Sequence, residues 1–115
     1  MALSDGTFKA SSPMMAGMPF DLGPSCRLKI GGIDVVVTSH RSQVFDKEIF
    51  QLHGIDVATY KIVALKSSQH FRAGFVPIAA EIIRADTPGT TATDLHAIPF
   101  TRLEGDFWPF KADLS

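Results

Sequence analysis

Apolar and polar positions alternate most cleanly in one stretch of this chain. Cys26-Arg27-Leu28-Lys29-Ile30 alternates, Gly31-Gly32 permits a tight turn, and Ile-Asp-Val-Val-Val-Thr (residues 33–38) runs back. Ile33, Val35 and Val37 share one side of that second run, while Val36 lies on the other with Asp34 and Thr38. Apolar content on both faces predicts a central strand, covered on both sides. Residues 46–54 then read as a short helix, with Asp46 as N-cap, Glu48 in the first turn, Ile49, Phe50 and His53 on one face, and Gly54 as C-cap. Residues 60–65 (YKIVAL) predict a second strand. Residues 68–75 predict a second helix, stopped at Val76-Pro77, and residues 81–85 (EIIRA) a third strand that ends in Asp86-Thr87-Pro88-Gly89. The order predicts an α/β fold: a mixed, mostly parallel sheet built from a β-α-β-α-β run with an N-terminal antiparallel hairpin.

Outside this run the signals are local. Asp5-Gly6 is a hairpin-turn dipeptide with Thr7-Phe8-Lys9 as its outgoing strand, and the few residues before it suggest a chain that begins partway through a larger structure. Residues 11–24, punctuated by Pro13, Gly17, Pro19, Gly23 and Pro24, read as an ordered loop with Met14, Met15 and Met18 packed under it, or else as a floppy surface loop. A helical turn is expected near residues 94–97. IPFTRL and DFWPF are expected to pack across the sheet, with Trp108, Phe107 and Phe110 as a core plug.

Composition narrows the function classes. The chain has 115 residues, 45% of them hydrophobic, which suits a single domain spanning residues 1–115. Eleven Lys and Arg stand against twelve Asp and Glu, so no basic face argues for a nucleic-acid partner. The single cysteine, Cys26, excludes an internal disulfide and fits a reducing compartment. Neither a membrane span nor a secretory leader is legible, and a soluble, cytoplasmic protein is expected.

The candidate chemistry gathers where the expected strands end. In parallel α/β sheets, ligands collect outside the carboxyl ends of the strands. The first run ends in Thr38-Ser39-His40-Arg41, and the second in Lys66-Ser67-Ser68, followed by Gln69, His70 and Arg72. Backbone N–H groups at the expected helix start, together with Lys66 and Arg41, would suit a carboxylate or another anion; Thr38, Ser39, Ser67 and Ser68 bring hydroxyls to the same edge, and His70 is the candidate catalytic group. Ser67 or Ser68 could instead serve only to cap the second helix. The four histidines, His40, His53, His70 and His96, show no metal-ligand spacing, so no metal site is expected in this chain. His53, beside Gly54, reads as a favourable helix-end residue. A serine hydrolase assembled from Ser67 or Ser68, His70 and Asp86 lacks the nucleophile elbow that such chemistry needs.

Three stretches also carry a resemblance: GGIDVVVTSHRSQVFDKEIFQLHGID, YKIVALKSSQHFRAGFVPIA and RADTPGTTATDLHAIPFTRL. They resemble the C-terminal domain of the microcystinase C (MlrC) family of metallopeptidases, and the similarity extends upstream through ALSDGTFKASSPMMAGMPFDLGPSCRLKI. The resemblance implies a parent several times longer, whose N-terminal metal-binding domain holds zinc and partners this one, and which hydrolyses linear peptides such as ring-opened microcystin. It implies that this chain supplies a wall of the substrate cleft and is inactive alone, with His70, Lys66 and Arg41 orienting the peptide. The alternative is a non-catalytic binding or homo-oligomerisation module that uses the same edge for a partner protein or a small anion.

Overall fold

The computed structural model describes residues 1–87, 93–102, 104, 105, 108 and 109. By their contacts the residues fall into two units, Met1–Ile82 and Ile83–Ser115.

The first unit is antiparallel. Strands β1 (Ala2–Ser4), β4 (Ser25–Ile30) and β5 (Ile33–Thr38) form one sheet in the order β1-β4-β5, while β2 (Thr7–Lys9) and β3 (Pro19–Asp21) form a second. The hairpin at Gly31-Gly32 is present, with Ile30 opposite Ile33 and Ser25 opposite Thr38, and Gly31 takes a φ of +59°. The expected parallel β-α-β-α-β sheet is not. Residues 60–65 and 81–85 belong to neither sheet, and among the described residues only the sequence-adjacent hairpin and two short pairings hold strands together. The physical reason is that an apolar run supplies a face to bury but not a partner for its backbone. Residues 62–66 are strand-like in burial, with Val63 and Leu65 packed against the core while Ile62, Ala64 and Lys66 point outward, yet no ladder forms on them.

The Asp5-Gly6 hairpin is also corrected. Its two flanks lie in different sheets, β1 pairing with β4 and β2 with β3. Gly6 makes the crossing possible: a Cβ built on it would lie 2.0 Å from the Gly23 carbonyl oxygen, and its φ is +83°. Part of the expected 11–24 loop is β3, where Phe20 stacks on Phe8 at 5.5 Å and both lean on Phe45.

The buried centre consists of Ile55, Val57, Phe71 and Phe75, flanked by Val36, Val44, Phe50, Tyr60, Val63, Leu65 and Ile82. Phe50 of helix α1 (Glu48–Gln51) meets Phe75 of helix α2 (Arg72–Phe75) edge to face at 6.2 Å. The N-cap position of α1 is Lys47, one residue after the expected Asp46; Asp46 accepts from the Glu48 N–H at 2.9 Å and is itself fully buried. It also accepts from the Ser11 and Ser12 N–H groups at 2.9 and 2.8 Å, and so ties the segment after β2 to the start of α1.

Only one face of the larger sheet meets this centre. The other carries Leu3, Cys26, Val37, Leu28, Val35, Ile30 and Ile33, and Leu3, Ile30 and Ile33 are more than 60% exposed. The expectation that Ile33–Thr38 is covered on both sides is thus overturned: β5 is an edge strand with an open apolar face.

In the second unit, residues 95–97 form the expected helical turn, capped by Asp94 through the His96 N–H at 3.0 Å. Trp108 is 81% exposed, so it is not a core plug. Pro88, Gly89, Phe107 and Phe110 lie outside the described residues.

Candidate functional site

The KSSQHFR segment takes its place from a glycine. A Cβ built on Gly74 would lie 2.9 Å from the Phe45 carbonyl oxygen, so α2 rests directly on the backbone of residues 45–46. That contact sets the turn before α2 alongside the loop after β5. There the His70 Nδ1–H donates to the Gln43 side-chain oxygen. The ring is exposed, and its Nε2 has no partner among the described residues. In this tautomer Nε2 is a proton acceptor facing solvent.

The serines divide. Ser68 is exposed, whereas the Ser67 hydroxyl is buried and makes no hydrogen bond. An orphaned buried hydroxyl costs free energy, and it requires an explanation. The capping role is absent: α2 begins at Arg72, its N-cap position is Phe71, and no side chain caps it. The expected helix start at Ser68 is therefore four residues early, because residues 68–71 form a turn first. The anion site imagined at that helix N-terminus has no helix to supply it.

Thr38 and Ser39 are committed locally, the first donating to the His40 carbonyl at 3.1 Å and the second to the Pro24 carbonyl at 2.5 Å. They hold the end of β5 against the Leu22–Pro24 turn, where the His40 N–H also donates to Leu22 at 2.8 Å. Arg41 and Lys66 are exposed and form no ion pair among the described residues. Arg72 is occupied, its guanidinium 5.5 Å above the Phe71 ring. The structure thus joins His70 to the loop that follows Arg41, and it leaves Lys66, Ser68 and Arg41 open while Thr38 and Ser39 are spent on the fold. Asp86 lies in the second unit, where it accepts from the Thr93 hydroxyl at 2.5 Å.

Two further polar groupings were not visible in the sequence. His53 is buried: its Nδ1–H donates to the Ile49 carbonyl at 3.0 Å, which leaves Nε2 to accept from the Ser25 hydroxyl at 2.9 Å. The pair resembles a nucleophile and its base, but Ser25 and His53 are each at most 5% exposed and meet no substrate. They bind α1 to β4, so the helix-end reading of His53 is replaced by a core role. The second grouping crosses the inner sheet face. Arg27 Nε donates to Asp34 at 2.8 Å, and the Tyr60 hydroxyl donates to the other carboxylate oxygen at 2.5 Å. The Arg27 bond first, and the Tyr60 bond second, hold the Asp34 carboxyl down at about 2. Gln43 carried no sequence signal, being one polar residue in a polar loop.

Zinc finds no seat among these groups. No set of three or more His, Cys, Asp or Glu side chains among the described residues is placed to hold a metal ion, and His53 has both ring nitrogens engaged. Nor is any helix among the described residues long and apolar enough to cross a membrane.

Microcystinase C of Sphingomonas sp. is 31% identical over 91 residues, which is 78% of this chain and 17% of that protein. A crystal structure from Mesorhizobium sp. BNC1, assigned as a metallopeptidase, superposes with a TM-score of 0.80 at 30% identity, covering 97% of this chain and 22% of that one. The chain therefore spans about a fifth of the length of the relatives it matches. With residues 1–102 matching the family profile described as MlrC C-terminus, the chain belongs to the MlrC C-terminal family.

Proposed function

We propose that this chain is the C-terminal part of a metallopeptidase-like protein in which it walls one side of the substrate cleft and is not catalytic alone. The family membership and the metallopeptidase assignment of the Mesorhizobium relative support the peptidase class. The Sphingomonas relative is named a microcystinase, and we take a linear peptide of that kind as the substrate. A reducing, cytoplasmic setting suits the unpaired Cys26 thiol. Zinc belongs, in this reading, to the N-terminal metal-binding portion of the protein outside this chain, and none of the residues described above acts through it.

The observation that carries the proposal is the state of His70. It is an exposed imidazole whose tautomer is set by Gln43, in a segment that also carries Lys66 and the buried Ser67 hydroxyl, while Gln43 lies in the loop after Arg41; neither cation forms an ion pair among the described residues. Nε2 can accept a proton from a bound peptide or, once protonated, stabilise an oxyanion. Lys66 and Arg41 suit the peptide's carboxylates, and the exposed Ser68 hydroxyl its backbone.

The test is turnover of a linear peptide by the full-length protein carrying His70→Ala. The expected loss in kcat/KM is ~10²-fold or more, with a melting temperature close to the unsubstituted protein because an exposed side chain contributes little to packing. Lys66→Met is expected to raise KM more than it lowers kcat. Unchanged turnover in His70→Ala would remove the cleft reading. The apolar outer face of the larger sheet favours a second reading, a non-catalytic binding or oligomerisation module. Retained turnover together with self-association of the chain would select it.

A further inference from the structure

Residues 62–66 behave as a strand without a sheet. Burial alternates along them, with Val63 and Leu65 packed on the core cluster and Ile62 85% exposed. Alternation of this kind belongs to extended backbone. Yet among the described residues none of their backbone N–H or C=O groups takes part in a hydrogen bond, to main chain or to side chain. Neither edge is paired. Buried backbone polar groups in folded proteins are almost always satisfied, and an apolar edge left open to water invites pairing. This segment runs straight into Ser67, whose buried hydroxyl is also unpartnered.

We infer that residues 62–66 are a β-strand completed by an extended segment from the portion of the MlrC-like protein that lies outside this chain. This rests on the reading of the chain as part of a longer protein. Two observations select that occupant. The fold recurs, at a TM-score of 0.80, inside a chain of which it makes up only 22%, so most of the surface that could meet it belongs to that larger remainder. And the need is permanent: a strand bare on both edges and bearing Ile62 outward is not left open between substrate-binding events, as the edge of an already formed sheet can be. The added strand would lie ~4.8 Å from residues 62–66. It would fix the path into Lys66, Ser67 and His70, so the larger portion would orient the cleft wall through main-chain hydrogen bonds and not only through side chains.

Amide hydrogen exchange resolved to single residues tests this on two samples, the 115-residue chain and the full-length protein, both without peptide. In the chain alone the amides of residues 62–66 should exchange at nearly intrinsic rates. In the full-length protein at least one alternate set, 62, 64 and 66 or 63 and 65, should slow by ~100-fold or more, because a partner strand on one edge bonds every second amide. Rapid exchange in both samples overturns the inference. So does protection seen only when a linear peptide is added, which would make the substrate the added strand. Protection in the chain alone that grows with its concentration would make a second copy the partner, and equally overturns it. The outcome separates from that of the cleft reading. Full turnover in His70→Ala with protected 62–66 removes the cleft and keeps the strand, and lost turnover with unprotected 62–66 does the reverse.

Discussion

Replacing Asp46 with alanine should destabilise the first unit more than any other single carboxylate change. The carboxylate is fully buried and accepts from the main-chain N–H groups of Ser11, Ser12 and Glu48 at 2.8–2.9 Å. Bonds to a charged acceptor are worth ~1.5–3 kcal/mol each. Ser11 is exposed and can turn to water, whereas Ser12 is buried and Glu48 half-buried. Counting those two gives a loss of ~3–6 kcal/mol, against a total stability of ~5–15 kcal/mol for an ordinary domain. For a unit of this size, the lower bound corresponds to a melting decrease of at least ~12 °C. Burial pushes the Asp46 carboxyl up, but the bonds from the Glu48 and Ser12 N–H groups outweigh it and leave the group below its ordinary 3.8. Its stabilisation is therefore full above pH ~4 and is lost as pH falls through the lowered folded value. Urea melts followed by circular dichroism between pH 7 and pH 2 would measure both effects. Asp46→Ala should be weak at pH 7 and should lack this part of the acid sensitivity. A variant within ~1 kcal/mol of the natural protein at pH 7 would refute the claim that these bonds fasten residues 11–12 to α1.

Three other outcomes are expected. Asp34, held at about 2 by Arg27 and then Tyr60, contributes stability present above 3.8 and lost as pH falls towards 2; Tyr60→Phe should raise its titration midpoint in a carboxyl NMR titration, and an unchanged midpoint would refute the Tyr60 bond. Gly6→Ala should cost at least ~2 kcal/mol, because its Cβ would strike the Gly23 carbonyl, whereas Gly17→Ala, at a similar φ but with open space around it, should cost only ~1 kcal/mol; equal losses would mean that the close approach does not matter. Ser67→Ala should leave the isolated chain as stable or up to ~1 kcal/mol more stable, since the hydroxyl removed has no partner, and a clear loss in melting temperature would show that it has one.

The local chemistry of this fold was legible and its long-range pairing was not. Gly31-Gly32 between two alternating runs specified the β4-β5 hairpin, and Asp46 marked the start of α1 to within one residue, the N-cap position being Lys47. Both depend on neighbours in sequence. The pairing of Leu3 with Cys26, and of Phe8 with Phe20, depends on where Gly6 redirects the chain, and a dipeptide that suits a hairpin gave the wrong partner. Residues 60–65 and 81–85 are apolar for a reason other than a parallel sheet within the first unit: Val63, Leu65 and Ile82 cover the core as single side chains. At the candidate site, composition pointed to Lys66, Ser67, Ser68, His70 and Arg41, but not to Gln43, which sets the His70 tautomer. Nor did it show that Thr38 and Ser39 are spent on the turn at Pro24.

The open face of the larger sheet has a consequence for how the chain behaves in bulk. Leu3, Ile30, Ile33, Val35 and Val37 present hydrocarbon to water without an intervening charge on that side. Attraction between such surfaces is driven by the release of hydrating water near room temperature, so it strengthens on warming and weakens in the cold. Chains that meet through this face should associate more at 37 °C than at 4 °C, in the opposite sense to contacts made by hydrogen bonds. Sulfate, which is excluded from protein surfaces, should drive the same association at constant temperature, while modest urea should reverse it before the fold is lost. Temperature and salt therefore act on this chain as an adhesive dial, set by one side of one three-stranded sheet.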